Sequence, residues 1–138
     1  KAMDKANGVF LVQKNSNWGI VEDGAWGKYN YKLKGEAISG VFNGHELVPE
    51  TSYSLVCYTE DWPNVTVIGC GISNEFGDVH ITGTADIGDP HYYPPDADGD
   101  YQNVTGYKIW LVPTSCVSDG ELLSWKPNAF LFEYKLIP

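Results

Sequence analysis

Short apolar runs rich in Val, Ile, Tyr, Phe and Trp recur along the chain, broken by turn-forming residues about every eight to twelve positions. The first run spans 8–14, followed by a turn at 15–17 and a brief run at 18–22. After Asp23-Gly24 the run 25–34 alternates, with Trp26, Tyr29, Tyr31 and Leu33 as its large residues. Runs at 37–43 and 52–59 are separated by a loop through Pro49, and 60–64 reads as a hairpin connection into 65–72. Residues 74–77 turn the chain into 78–86, where Val79 and Ile81 share a face. A long irregular stretch, 87–105, is rich in Pro, Asp and Tyr and precedes runs at 106–112 and 129–137.

This series predicts an all-β fold: a single-domain β-sandwich over residues 1–138, with about eight to ten short antiparallel strands. A sandwich fits better than a barrel, because the runs differ in length and a long loop interrupts them. No amphipathic helix of useful length is visible, and 120–125 offers one helical turn at most. Trp26, Trp110 and Trp125 are expected in the core.

Composition narrows the choice of partners. With 43% hydrophobic and 14% aromatic residues, the 138-residue chain is too apolar for disorder and can form a core without many disulfides. Nine basic residues, all Lys, stand against 18 acidic ones, for a net charge of −9. Phosphate recognition leans on bidentate Arg, and a negative protein repels polyanions, so nucleic acid and anionic membranes are not expected as partners. Cations, neutral glycans and other proteins remain, although a plain soluble protein carries such a surface too. No run reaches the ~18–20 apolar residues of a membrane span.

Three cysteines, Cys57, Cys70 and Cys116, show no Cys-x-x-Cys spacing. Two of them are expected to form one disulfide in an exported protein, the alternative being three buried thiols. Asn64 and Asn103 open Asn-Val-Thr sequons, which would accept glycans on export. A chain opening on Lys1 is expected to be the mature product of a secreted, extracellular or cell-surface protein.

Catalytic motifs for a nucleophile elbow, a zinc protease helix or a phosphate loop are missing, and His45, His80 and His91 sit on separate segments. A non-catalytic role is expected, with His80 a structural or surface residue. The best chemical candidate is a calcium loop: Asp96, Asp98 and Asp100 at alternate positions, with Asp89, Asn103, backbone carbonyls or water completing six to eight oxygens. It is not an EF-hand, and a solvated acidic loop is the equal alternative. Trp62, Tyr92, Tyr93 and Tyr101, with Trp18, fall in or beside predicted loops, where exposed rings could stack on sugars or anchor an interface. Residues 1–14 form a candidate exchangeable N-terminal strand. Given to a neighbouring subunit head to tail, such a strand builds an open filament.

Residues 42–49 (Phe-Asn-Gly-His-Glu-Leu-Val-Pro), 53–56, Trp62-Pro63, 71–81 with Gly83 and Asp86, 108–113 (Lys-Ile-Trp-Leu-Val-Pro), 125–127 and 130–133 have a shared look. In that order they resemble a family of exported, uncharacterised β-rich surface proteins, seen mainly in archaea, methanogens especially, and in some bacteria. The resemblance covers about 8–138 and implies export and a β-rich surface domain. Members of that family often carry a Cys shortly after the Lys-Ile-Trp-Leu-Val-Pro stretch, where Cys116 stands. This implies Cys70–Cys116 as the bonded pair and Cys57 as the odd thiol.

Two functional expectations follow. The first is a subunit of a secreted filament or surface layer, self-assembling by strand donation with calcium as a candidate lock. The alternative is a monomeric secreted module that binds calcium and carbohydrate.

Overall fold

Period-two alternation becomes strand wherever one face of the chain finds an apolar partner. The computed structural model describes residues 8–15, 19–21, 23–58, 64–87, 91–93, 104–106 and 108–133. Their strands are β1 (Gly8–Val12), β2 (Trp26–Lys34), β3 (Ala37–His45), β4 (Ser52–Tyr58), β5 (Val65–Ile72) and β6 (Val79–Asp86). After these come β7 (His91–Tyr93), β8 (Val104–Gly106), β9 (Lys108–Pro113), β10 (Val117–Ser118), β11 (Glu121–Leu122) and β12 (Phe132–Glu133). Two 3-10 turns, η1 (Thr114–Cys116) and η2 (Pro127–Ala129), are the only helical elements among the described residues.

The fold is an all-β sandwich. A five-stranded sheet in the order β12-β1-β2-β3-β6 faces a three-stranded sheet, β5-β4-β9, and every pairing is antiparallel. Leu11, Tyr29, Ile38, Phe42 and Ile81 of the large sheet pack against Tyr53, Leu55, Cys57, Ile109 and Leu111 of the small one. A second apolar cluster lies on the other side of the small sheet, where Val56, Trp110 and Val112 meet Cys116, Leu122, Phe130 and Phe132. Residues 53–57 of β4 are therefore buried on both faces. Such a strand shows a continuous apolar run where a half-exposed strand alternates.

Both edges of the sandwich are held. Leu111 and Leu131 exchange backbone hydrogen bonds of 3.0 and 2.9 Å, joining β9 to the segment that leads into β12. At the opposite edge the chain turns from β5 into β6, and glycines allow the two backbones to cross in contact. A Cβ at Gly69 would stand 2.5 Å from the Thr82 carbonyl oxygen, and one at Gly83 only 2.0 Å from that of Ile68. No other residue fits such an approach without displacing the backbone.

Several expectations need correction. Trp110 is buried as anticipated, but Trp26 and Trp125 are 41% and 45% exposed. Residues 120–125 hold no helical turn; β10 and β11 form a hairpin through Asp119 (φ 50°) and Gly120 (φ 75°), the paired left-handed residues that suit the strand twist. In the stretch 87–105, described at 87, 91–93 and 104–105, β7 and the start of β8 are strand, and the two pair with each other. The candidate exchangeable strand, 1–14, is described from Gly8 to Lys14, where β1 pairs with β12 on one side and β2 on the other.

The expected Cys70–Cys116 disulfide is not formed, and all three thiols are free. Cys70 is exposed on β5, its Sγ 3.2 Å from Ser54 Oγ, while Cys116 is packed in the second cluster with Ser124 Oγ at 3.9 Å. Cys57 points into the inner core, on the opposite face of the small sheet.

Candidate functional site

The inward side chains of the large sheet fix what the outer face presents. Val9, Leu11, Tyr29, Phe42, Val79 and Ile81 are buried, so alternation turns Phe10, Trp26, Lys28, Asn43, His45 and His80 outward. Strand register then sets them in rows. Phe10 lies opposite Lys28, Lys28 opposite Asn43, and Asn43 opposite His80. In the adjoining row Val12 faces Trp26, and Trp26 faces His45.

The rings form a ladder. Phe10 and Trp26 have centroids 6.3 Å apart, and Trp26 and His45 are 4.7 Å apart at 40°. Both separations lie in the range where aromatic pairs attract beyond simple burial. Phe10 and Trp26 keep 46% and 41% of their surface exposed, so the ladder is open to a ligand. The Lys28 ammonium sits 5.5 Å from the Phe10 centroid, a cation–π contact along the same row.

Polar groups flank the rings in fixed orientations. His45 Nδ1 donates to the Asp78 carboxylate at 3.0 Å, and His80 Nδ1 donates to Asn43 Oδ1 at 2.8 Å. Since the partner oxygens only accept, each imidazole carries its hydrogen on Nδ1 and presents Nε2 as its other polar edge. The Asn43 amide nitrogen adds donors beside them.

Two interlocked loops hold this end of the sheet. Leu47 N–H donates to Gly77 O at 3.0 Å, Glu50 N–H to Asn74 O at 3.2 Å, and Ser73 Oγ donates to Val48 O at 2.7 Å. Asn74 Oδ1 accepts from the N–H groups of Phe76 and Asp78, at 2.8 and 3.0 Å, closing the turn that delivers Asp78 to His45. Gly77, at φ 82°, lets the Leu47 backbone approach to where a Cβ would stand 2.3 Å from its carbonyl oxygen.

Asp89, Asp96, Asp98, Asp100, Asn103, Trp62, Tyr101 and Trp18 lie outside the described residues, and Tyr92 and Tyr93 are placed only as part of β7. Asn64 is half-buried and bridges Glu121. Among the described residues no three His, Cys, Asp or Glu side chains gather as a metal cage. Burial, then the Glu133 carboxylate, push the Cys57 thiol up to about 12, which disfavours its thiolate form. Phe10, Trp26 and His45 were not anticipated as a site. The signal was present, because Trp26 shares its parity with Lys28, Lys32 and Lys34 while Tyr29 falls on the buried parity. Comparison with protein-family models, curated proteins and solved structures finds no match to the chain.

Proposed function

We propose that the protein is an exported, non-catalytic module that holds neutral glycans on the outer face of its five-stranded sheet. The supporting observation is the exposed ladder Phe10–Trp26–His45 flanked by Asn43, His80 and Asp78. Sugar rings offer apolar C–H faces to aromatic rings and hydroxyls to polar groups held at their edges. A net charge of −9 favours uncharged sugars over anionic ones. Titration with a panel of neutral hexasaccharides, followed by tryptophan fluorescence, tests this. Saturable binding that Trp26→Ala weakens at least about tenfold is expected; no binding across the panel would sink the reading.

A second reading is a subunit of an extracellular fibre joined by exchange of residues 1–14. It is supported by the way β1 places Val9 and Leu11 in the core between β2 and β12, the role a donated strand would take in a neighbour. Exchange would have to withdraw both side chains from this core. The mass in solution, with calcium and then with a chelator, decides it. Polymers support the fibre, and their shrinkage on chelation would give calcium its role as lock. A monomer under both conditions overturns it.

A further inference from the structure

Next to Trp26 the rim of the large sheet opens into a cavity of about 290 Å³. Gln13, Ala25 and Glu46 line it, and each is the chain neighbour of an outer-face residue: Val12, Trp26 and His45. These residues at the ends of β1, β2 and β3 place the cavity at the same end of the large sheet as Trp26 and His45. Its floor is closed, because the lining residues Leu47, Tyr53 and Leu131 are 8%, 3% and 2% exposed.

The polar groups around this apolar floor are already oriented. Tyr53 Oη accepts the Val48 N–H at 3.1 Å, which turns its own O–H away from that bond as a donor. Gln13 Oε1 accepts the Ala25 N–H at 3.1 Å, so its NH2 group is left facing elsewhere with two donors. Glu46 is exposed, held at φ 61°, and supplies a carboxylate acceptor. Donors and an acceptor around an apolar floor match a ring bearing several hydroxyls. The volume falls at the lower limit of small-molecule pockets, ~300 Å³, which suits one ring-sized unit.

We propose that this cavity is a terminal subsite, taking the last sugar unit of a neutral glycan whose preceding units lie across Trp26 and Phe10. A ring that enters cannot continue through the closed floor, so the unit bound there is a chain end. The Glu46 carboxylate selects against acidic end sugars. The proposal rests on the glycan-binding reading of the sheet face and adds to it the recognition of chain ends.

The test uses the full chain and neutral hexasaccharides built of glucose, mannose, xylose or N-acetylglucosamine, each compared with its long polymer at equal mass. Ala129 lines the cavity and is exposed, so Ala129→Trp should obstruct it without entering the core. Asn128→Trp serves if the first variant does not fold, as judged by its Tm. Expected results are a loss of about tenfold or more in hexasaccharide affinity on obstruction, and competition by the polymer that scales with its number of ends. If obstructed variants bind like the native chain while Trp26→Ala is weakened, the ladder stands and the terminal subsite falls. Polymer and hexasaccharide competing equally by mass would also overturn it. Failure of every hexasaccharide to bind the native chain removes both readings.

Discussion

Trp26 and His45 stand directly opposite each other on β2 and β3 with ring centroids 4.7 Å apart, and Asp78 holds the imidazole from the far side at 3.0 Å. Trp26 and His45 are placed by the register of the β2–β3 hairpin, and Asp78 by the hydrogen-bonded turn of Asn74 that leads into β6. A ligand stacking on this face meets rings whose orientation is already set, which lowers the entropy lost on binding.

Trp26→Ala should therefore separate binding from folding. The indole is 41% exposed and lies outside the core. Denaturant unfolding is expected to shift by no more than about 1 kcal/mol, whereas affinity for a neutral oligosaccharide drops at least about tenfold. A large loss of stability without loss of binding would show that the indole serves packing.

The crossing of β5 and β6 makes Gly83 far less replaceable than Gly35. A Cβ at Gly83 would lie 2.0 Å from the Ile68 carbonyl oxygen, while nothing stands within 4 Å of one at Gly35. Gly83→Ala should cost about 3 kcal/mol or more by forcing the strands apart. Gly35→Ala, strained only by its φ of 61°, should cost about 1–2 kcal/mol. Equal losses in urea unfolding would contradict the close crossing.

Tyr29 is fully buried, and its hydroxyl is the one buried side-chain polar atom among the described residues without a hydrogen-bond partner. Removing an unsatisfied hydroxyl removes a desolvation cost of about 1–3 kcal/mol. Tyr29→Phe is expected to hold or raise the Tm. A clear drop would mean that the hydroxyl has a partner.

Cys57 links stability to alkaline pH. Burial, then Glu133, lift its thiol from the ordinary 9.0 to about 12. The unfolded chain ionises this group near its ordinary value while the folded chain keeps it neutral. Its contribution is thus complete below about pH 9 and is lost as pH rises from there toward about 12. The raised phenols of Tyr29, Tyr31 and Tyr53, all desolvated by burial, act in the same direction at higher pH. Urea midpoints of Cys57→Ala should start lower and fall less steeply between about pH 8.5 and 10 than those of the native chain. An identical slope would remove Cys57 from the linkage. Thiol labelling offers a parallel reading: the exposed Cys70 should react in the folded protein, and Cys57 and Cys116 only on unfolding.

The Trp110 indole N–H donates to the buried Glu133 carboxylate at 2.9 Å, tying β9 to β12 beside the Leu111–Leu131 bridge. Trp110→Phe retains a ring but withdraws this donor, and should cost about 2 kcal/mol, the usual value of a hydrogen bond to a charged group. A change below about 0.5 kcal/mol would show that the carboxylate is fully served by its other contacts.

What the sequence by itself determined was local. Apolar runs and the turn residues between them located the strands from Gly8 to Asp86 within one or two residues, and they implied an all-β sandwich. The parity of Trp26 with the lysines of β2 already placed it on the polar face, although its size suggested core. The sequence could not reveal the row formed by Phe10, Lys28, Asn43 and His80, because neighbours across strands are fixed by register between distant segments. Nor could it show that Cys57 and Cys116 stay apart, since that depends on which face of the small sheet each one takes. Tertiary structure alone brought His45, Asp78 and Trp26 together and opened the cavity beside them. Their contacts span long chain separations, and only packing of the two sheets decides which distant residues meet.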